Sequence, residues 1–450
     1  MEESKTKKNK ISIAGTGYVG LCTAVGFALK DYQVIASTHE TEKVKLINEG
    51  IPPFHEPRLT EALRKVVKNG HLKCVLDLKK AIMETNVSFI TTGTPSKADG
   101  RIDLRLVKKA SKEIGLALKH KKSYHLVVVK STVTPGVTQN IVKPIIEKHS
   151  KKLCGKDFGL CMNPEFLREG TALDDTLNPD RIVIGEYDKK SGNLLEKLYR
   201  EFYRDQEVPI LRMNLVTAEL VKYASNAFLA TRLSFINQIA NICERISGAD
   251  VKKVALGMGF DKRIGPYYLN AGLGYGGSCL PKDVKALISF CKEIGYVPHL
   301  IKVVEEVNNN QANRAIEFAE NALGKLANKK IAILGLAFKP DTDDIREAVS
   351  LKIIKRLLDK KSKVVAYDPV AMENVKNAIG ERIGYATSAI ECIKDADCCI
   401  IVTEWNEFKK LKPKDFVENM RRPVIIDGRR LYDPIEFSSK TKYFAIGLGK

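Results

Sequence analysis

A thiol that is to act as a nucleophile needs an access path, a lowered pKa and room for a substrate to approach. The stretch LNAGLGYGGSCLPKDVKAL, Leu269–Leu287, offers all three: Cys279 follows a run of glycines and precedes Pro281, a residue suited to the first turn of a helix. The thiol is therefore expected at a helix N-terminus; taken as any one of ten cysteines, it could equally be a buried thiol of no chemical consequence. Asp283, four residues on, falls on the same helical face, where it can position water or take a proton, or merely complement the helix dipole. Lys222 and Asn226 are also four apart and could present a cation and an amide to a developing oxyanion, unless the lysine is simply solvated. In NPEFLREGTALDD, Asn163–Asp175, the pair Glu165 and Glu169 suits acid–base work or a capped surface turn. Thr132 in KSTVTPG stands at a strand end, where α/β sheets bind ligands, although such threonines are often structural.

These residues require a scaffold, and its elements can be read from the apolar pattern. Ile11–Ala14 is an apolar run, followed by GTGYVG and a periodic helix through Lys30, which is the order strand, glycine turn, helix. Gly15, Gly17, Tyr18, Val19 and Gly20 thus form a dinucleotide fingerprint with a helix N-terminus ready for a pyrophosphate. Thr38 stands where an acidic residue would bind the adenosine ribose, so these residues leave NAD and NADP both open. Further strands are expected at Val34–Ala36, Val87–Thr91 and Leu126–Lys130. Asn214–Gly248 reads as one long helix stopped by glycine, with more helix at Pro281–Gly295 and Leu300–Leu326. From Lys330 the alternation restarts, with IAILGLAF at Ile331–Phe338, then Val364–Tyr367 and Cys398–Val402. Here GLAFKP lacks the second and third fingerprint glycines, so this half is expected to hold a nucleotide other than the dinucleotide.

The expected fold class is α/β: two Rossmann-like doubly wound parallel-sheet domains joined by a central helical domain, with divisions 1–211, 212–327 and 328–450. The central helices predict a homodimer or a higher homo-oligomer. A hydrophobic fraction of 44% and a charged fraction of 28% describe a folded globular chain. The net charge of +20 suits a pyrophosphate-bearing substrate, and no nucleic-acid-binding signature accompanies the scattered lysines, among them Lys5–Lys10. Ten cysteines without regular spacing or a CxxC pair argue against a disulfide framework and a zinc site, so no metal is expected. The N-terminus shows no apolar signal segment and no stretch reaches membrane-spanning length, which predicts a cytoplasmic protein without membrane contact.

Taken together, GTGYVG, STVTPG, NPEFLREG, AELVKYASNAFLA, GYGGSCLPKD, GLAFKPDTDDIRE and TEWNEF occur in an order that resembles the UDP-glucose/GDP-mannose dehydrogenase family over nearly the whole chain. The resemblance implies NAD as cofactor and a nucleotide-sugar substrate oxidised from the C6 alcohol to a carboxylate, with NPDRIVIG closer to the UDP-glucose branch. It implies Cys279 as nucleophile, Lys222 and Asn226 as oxyanion stabilisers, Asp283 and Thr132 as water-handling groups and Glu165 as acid–base partner. It places Thr38, Thr94, Thr132, Glu169 and Arg346 near the cofactor. Around the nucleotide sugar it places Glu165, Phe166, Leu167, Arg168, Tyr268, Gly274, Tyr275, Gly276, Phe338 and Lys339, with a UDP-binding C-terminal domain. Arg263 is implied to reach the substrate of a neighbouring subunit. The alternatives are a GDP-mannose dehydrogenase, a nucleotide-binding regulator that has lost the chemistry, and a simple hydroxyacid dehydrogenase, which would need neither Cys279 nor a second nucleotide domain.

Overall fold

A computed structural model describes residues 9–449, which divide by contact density into two compact units with the division between Ser225 and Asn226. The lysines at 5, 7 and 8 of the N-terminal basic cluster lie outside the described residues.

The first unit is built on strands β1 (Lys10–Ala14), β2 (Gln33–Ser37), β3 (Leu72–Val75), β4 (Val87–Ile90), β5 (His125–Val129), β6 (Phe158–Met162), β7 (Ile182–Glu186) and β8 (Ile210–Asn214). They form one sheet in the order β3-β2-β1-β4-β5-β6-β7-β8. The strands are short apolar runs because helices cover both faces of a parallel sheet; β4, β5 and β6 are buried at every position. The expectation of a parallel sheet needs one correction: β7 runs antiparallel to β6, pairing Cys161 with Glu186 and Met162 with Gly185, and β8 then follows β7 in parallel. The sheet thus continues to Asn214. Within β7, Gly185 is required where the start of the helix Leu215–Cys243 packs on the strand, since a side chain there would stand 2.6 Å from the Ala218 Cβ.

The second unit carries strands β9 (Lys330–Leu334), β10 (Lys363–Tyr367), β11 (Gly384–Tyr385), β12 (Cys398–Ile401), β13 (Val424–Asp427) and β14 (Lys442–Ala445). All of its pairings are parallel, in the order β11-β10-β9-β12-β13-β14. The winding is that of the first six strands of the first unit, the doubly wound order whose switch point lies between its first and fourth strands.

Helices fill the middle of the chain, with two corrections to their expected ends. The long helix spans Leu215–Cys243 and stops before Gly248, because the backbone at 249–251 is drawn to the chain's last residues: Val251 N–H donates to Gly447 O and Gly449 N–H to Ala249 O. The run expected as one helix to Leu326 is two, His299–Gln311 and Asn313–Leu323. They part at Ala312, next to Gln311, whose side-chain amide donates to Gly272 O. No helix among the described residues is long and apolar enough to cross a membrane.

Candidate active site

The first glycine turn is built for close approach. Gly15 takes φ +109 with its N–H on Ser37 O at 2.9 Å, and the Thr91 hydroxyl braces it by donating to Ala14 O and Gly15 O. A side chain at Gly20 would overlap the Gly15 carbonyl, whereas around Gly17 nothing lies within 4 Å of a would-be Cβ. Gly17 is the cap residue of the helix Tyr18–Leu29 and no side chain caps it, so the helix N-terminus opens over a surface where only a residue without Cβ leaves room for a pyrophosphate. This cradle fits a dinucleotide. Tyr18 packs its ring 4.0 Å from that of Phe54, and Val19 is half-buried beside it. Thr38 follows β2 and accepts a hydrogen bond from Glu40 N–H at 3.4 Å. Thr94 and Thr132 meet at the ends of β4 and β5, the Thr94 hydroxyl donating to Thr132 O at 2.8 Å.

Beside the end of β6, the loop 163–171 brings the predicted carboxylate and cation together. Lys222 Nζ lies 2.9 Å from Glu165 Oε1, and both side chains are about 95% buried. Glu165 Oε2 also accepts the Leu167 N–H at 2.6 Å, so both oxygens are aimed. Removing one member of such a buried pair strands a charge, at a cost of about 3–5 kcal/mol. Arg181 stacks over the Phe166 ring at 3.9 Å. Glu165, Phe166, Leu167 and Arg168 line one cavity together with Lys130 and Tyr199. Arg168 is exposed and paired with Asp175, while Glu169 is half-buried on the same loop.

Two residues of this cluster escaped the sequence reading. Lys130 follows β5 directly and is buried, donating to Asn163 Oδ1 at 2.9 Å; burial pushes its amine down to about 8, opposed by Glu165 and reinforced by Lys222. The loop's far end is pinned by Glu56, a buried carboxylate that accepts the N–H groups of Gly170 and Ala172 at 2.8 and 2.7 Å. Lys130 heads the motif KSTVTPG and Asn163 heads NPEFLREG, so a charged residue ending an apolar strand was the available signal. Glu56 carries no such signal, since its partners lie more than a hundred residues away.

In the second unit Cys279 is the cap residue of the helix Leu280–Glu293, with Pro281 in the first turn as expected. Its thiol is half-buried, within 3.4 Å of the Ser278 hydroxyl. Burial pushes the nine other thiols up. Asp283 is 1% exposed; its backbone N–H closes the first helical turn on Cys279 O. Its carboxylate accepts the Asn226 amide at 2.6 Å and the Lys282 ammonium at 2.5 Å. Asn226 is therefore aimed at Asp283, and Lys282 is a further contributor that the sequence reading left unremarked.

The loop before Cys279 packs on the loop after β9. Gly277, at φ +86, lies under the Phe338 ring, where a Cβ would come to 2.7 Å, and its N–H donates to Arg346 O. A side chain at Gly276 would overlap the Glu347 carbonyl. Gly274, at φ +105, precedes Tyr275, whose backbone N–H and carbonyl are both held by the Asn308 amide. Gly274, Tyr275, Gly276, Phe338, Lys339 and Arg346 are thus gathered in one place; Arg346 is held fork-to-fork by Asp344, and Lys339 lies 5.8 Å from the Phe338 ring centroid. Tyr268 is half-buried with φ +59. Arg263 stands apart from these groups, exposed and paired with Asp261 at 2.6 Å.

The fold and these clusters define a class: a dinucleotide-binding α/β protein with a second sheet of the same winding and a cysteine at a helix N-terminus. Comparison with known proteins makes this specific. Residues 9–203 match the NAD binding domain, 216–310 the central domain and 332–434 the UDP binding domain of the UDP-glucose/GDP-mannose dehydrogenase family, and the chain belongs to that family. It is 41% identical to the UDP-glucose 6-dehydrogenase YwqF of Bacillus subtilis, over 97% of each chain. It is 40% identical to the UDP-glucose 6-dehydrogenase AglM of Haloferax volcanii, over 94% of this chain and 97% of that one. Its fold matches the solved UDP-glucose dehydrogenase of the hyperthermophilic archaeon Pyrobaculum islandicum with a TM-score of 0.92 at 36% identity, covering all of both chains.

Proposed function

We propose that this chain oxidises UDP-glucose to UDP-glucuronate in two successive two-electron steps with NAD, through a covalent intermediate on Cys279. The observation that carries the reading is the setting of Cys279: a half-buried thiol at a helix N-terminus, one turn from a buried aspartate held by Asn226 and Lys282. UDP-glucose is preferred to GDP-mannose because the similar proteins named above bear UDP-glucose in their names.

NAD, when bound, supplies the hydride acceptor, and Gly15, Gly17, Tyr18, Val19 and Gly20 would hold its pyrophosphate. Thr38, Thr94, Thr132, Glu169 and Arg346 are the further residues we assign to it. After the C6 alcohol has become an aldehyde, the Cys279 sulfur adds to C6 as its oxygen takes a proton, giving a thiohemiacetal. Lys222 and Asn226 stabilise the negative charge that develops on that oxygen before the proton reaches it. The second oxidation leaves a thioester, and water loses a proton to Asp283 as it attacks, releasing the carboxylate and the thiol. Glu165, fixed by Lys222, serves acid–base work at the alcohol.

The nucleotide sugar is assigned to Phe166, Leu167, Arg168, Tyr268, Gly274, Tyr275, Gly276, Phe338 and Lys339. Arg263, exposed in one copy, is assigned to the site of a neighbouring copy, so the working form is a homodimer or larger; the compartment we assign, from the cysteine pattern, is cytoplasmic. The divisions 1–211, 212–327 and 328–450 remain our domain assignment, supported by the three matched segments. A Cys279→Ser variant tests the mechanism: it is expected to form no carboxylate at a measurable rate, and conversion at the parent's rate would overturn the thioester route.

A further inference from the structure

We infer that Glu219 is a positioning residue for the reaction proposed above, a buried carboxylate that ties the segment carrying Thr132 to the helix carrying Lys222. The inference rests on that functional reading. Glu219 lies on the long helix one turn before Lys222 and is fully buried. Its Oε2 accepts the Gly136 N–H at 2.5 Å and its Oε1 accepts the Thr138 N–H at 2.8 Å.

Between these points and Thr132 the chain reverses. Gly136 takes φ +92, and Thr138–Val142 form a π-helical turn that leads into the helix Lys143–Ser150. Single π-turns of this kind are frequent at functional sites. The near end of the segment is fixed separately, by Thr94 on the Thr132 carbonyl and by the Ser131 hydroxyl donating to Thr92 O at 2.6 Å. Thr132 therefore sits on a short arc clamped at both ends, and Glu219 is the far clamp.

A local cap would satisfy the N–H groups of a helix start with a neighbouring Ser, Thr or Asp. Here the acceptor comes from 81 residues away, on the helix that also presents Lys222. Keeping it there is costly: burial pushes the carboxyl up to about 7, opposed by the Gly136 and Thr138 donors. An apolar side chain would pack the same helix without that cost, so the tie is explained by what it connects.

Glu219→Gln keeps the shape but turns one acceptor into a donor facing an N–H. We expect kcat to fall about tenfold while KM for UDP-glucose changes less than about twofold, because a misplaced group is lost in the transition state and not in substrate binding. In a Thr132→Ala background the same substitution is expected to cost nothing further, since it acts through that residue. Should Glu219→Gln not fold, Glu219→Asp, which withdraws the charge by one methylene, is read in the same way. An unchanged kcat, or an equal loss with and without Thr132, overturns the inference while leaving the functional reading intact. A parent protein that reduces no NAD with UDP-glucose removes both.

Discussion

The two sheets share one winding, β3-β2-β1-β4-β5-β6 in the first unit and β11-β10-β9-β12-β13-β14 in the second, yet their switch points are used in opposite ways. In both, the first glycine turns at positive φ beneath a threonine just past the end of the neighbouring strand, β4 in the first unit and β12 in the second: Gly15 under Thr91, Gly335 under Thr403. In the first unit the helix begins at Tyr18, four residues past the strand, and no side chain caps it. In the second, the helix does not begin until Val349, and the turn's N–H groups are already occupied. Asp368 follows β10 and accepts Leu336 and Ala337 N–H at 2.7 and 3.0 Å, the Trp405 indole at 3.0 Å, and the N–H groups of Val370 and Ala371. A carboxylate of the protein occupies the N–H groups of this turn. The same winding thus carries a helix N-terminus without a side-chain cap in one unit and a turn held by a carboxylate in the other.

The largest effect on cofactor binding expected from this comparison is at Gly20. Gly20→Val drives a branched side chain into the Gly15 carbonyl and should weaken NAD binding more than about a hundredfold by titration calorimetry, some 2.7 kcal/mol. UDP binding should survive; loss of both nucleotides equally would break the distinction between the turns. The largest effect on stability is expected from Asp368→Asn, which replaces an acceptor oxygen by a donor among five N–H groups. About 4 kcal/mol of stability should be lost in urea, with the NAD dissociation constant of the folded variant unchanged.

The strand ends sharpen the contrast further. Where β5 gives way to Lys130, beside Glu165 and Lys222, β13 ends on Asp427, a buried carboxylate satisfied by the Tyr443 hydroxyl and by backbone N–H groups. Lys130 is held near 8 in the fold and returns to its ordinary 10.5 on unfolding, so the unfolded chain binds more protons between those values. Its contribution to stability is therefore present above pH 10.5 and lost as pH falls through 8. Relative to Lys130→Met, the parent should lose about 3 kcal/mol across that window, and parallel stability curves would place the amine in water. The smallest effect is at Gly17, where a methyl group meets no protein atom. Gly17→Ala should leave the melting temperature within about a degree and weaken NAD about tenfold, because only the ligand needs that space.

Much of this was legible in the sequence because it is local. The glycine turn, Cys279 at a helix start beside Pro281, and the one-turn spacing of Cys279 and Asp283 all depend on neighbours within a few residues. The missing second and third glycines of GLAFKP likewise foretold a turn unlike the first. What escaped depends on distant partners. Glu56 pins a loop 114 residues on, and Asp368 fills a turn 31 and 32 residues back, which no periodicity announces. The early end of the long helix has the same cause, since residues near 249 are paired with the last residues of the chain. Asn226 was read as an oxyanion donor, and its contact with Asp283 shows a partner that spacing along one helix could not supply.

A four-electron oxidation at Cys279 is tested most directly by its stoichiometry. Purified protein given limiting UDP-glucose and excess NAD should form two reduced cofactors and one carboxylate per sugar, with no free aldehyde and little reduction when NADP or GDP-mannose is substituted. One reduced cofactor per sugar with accumulating aldehyde, or reduction with GDP-mannose alone, would contradict it.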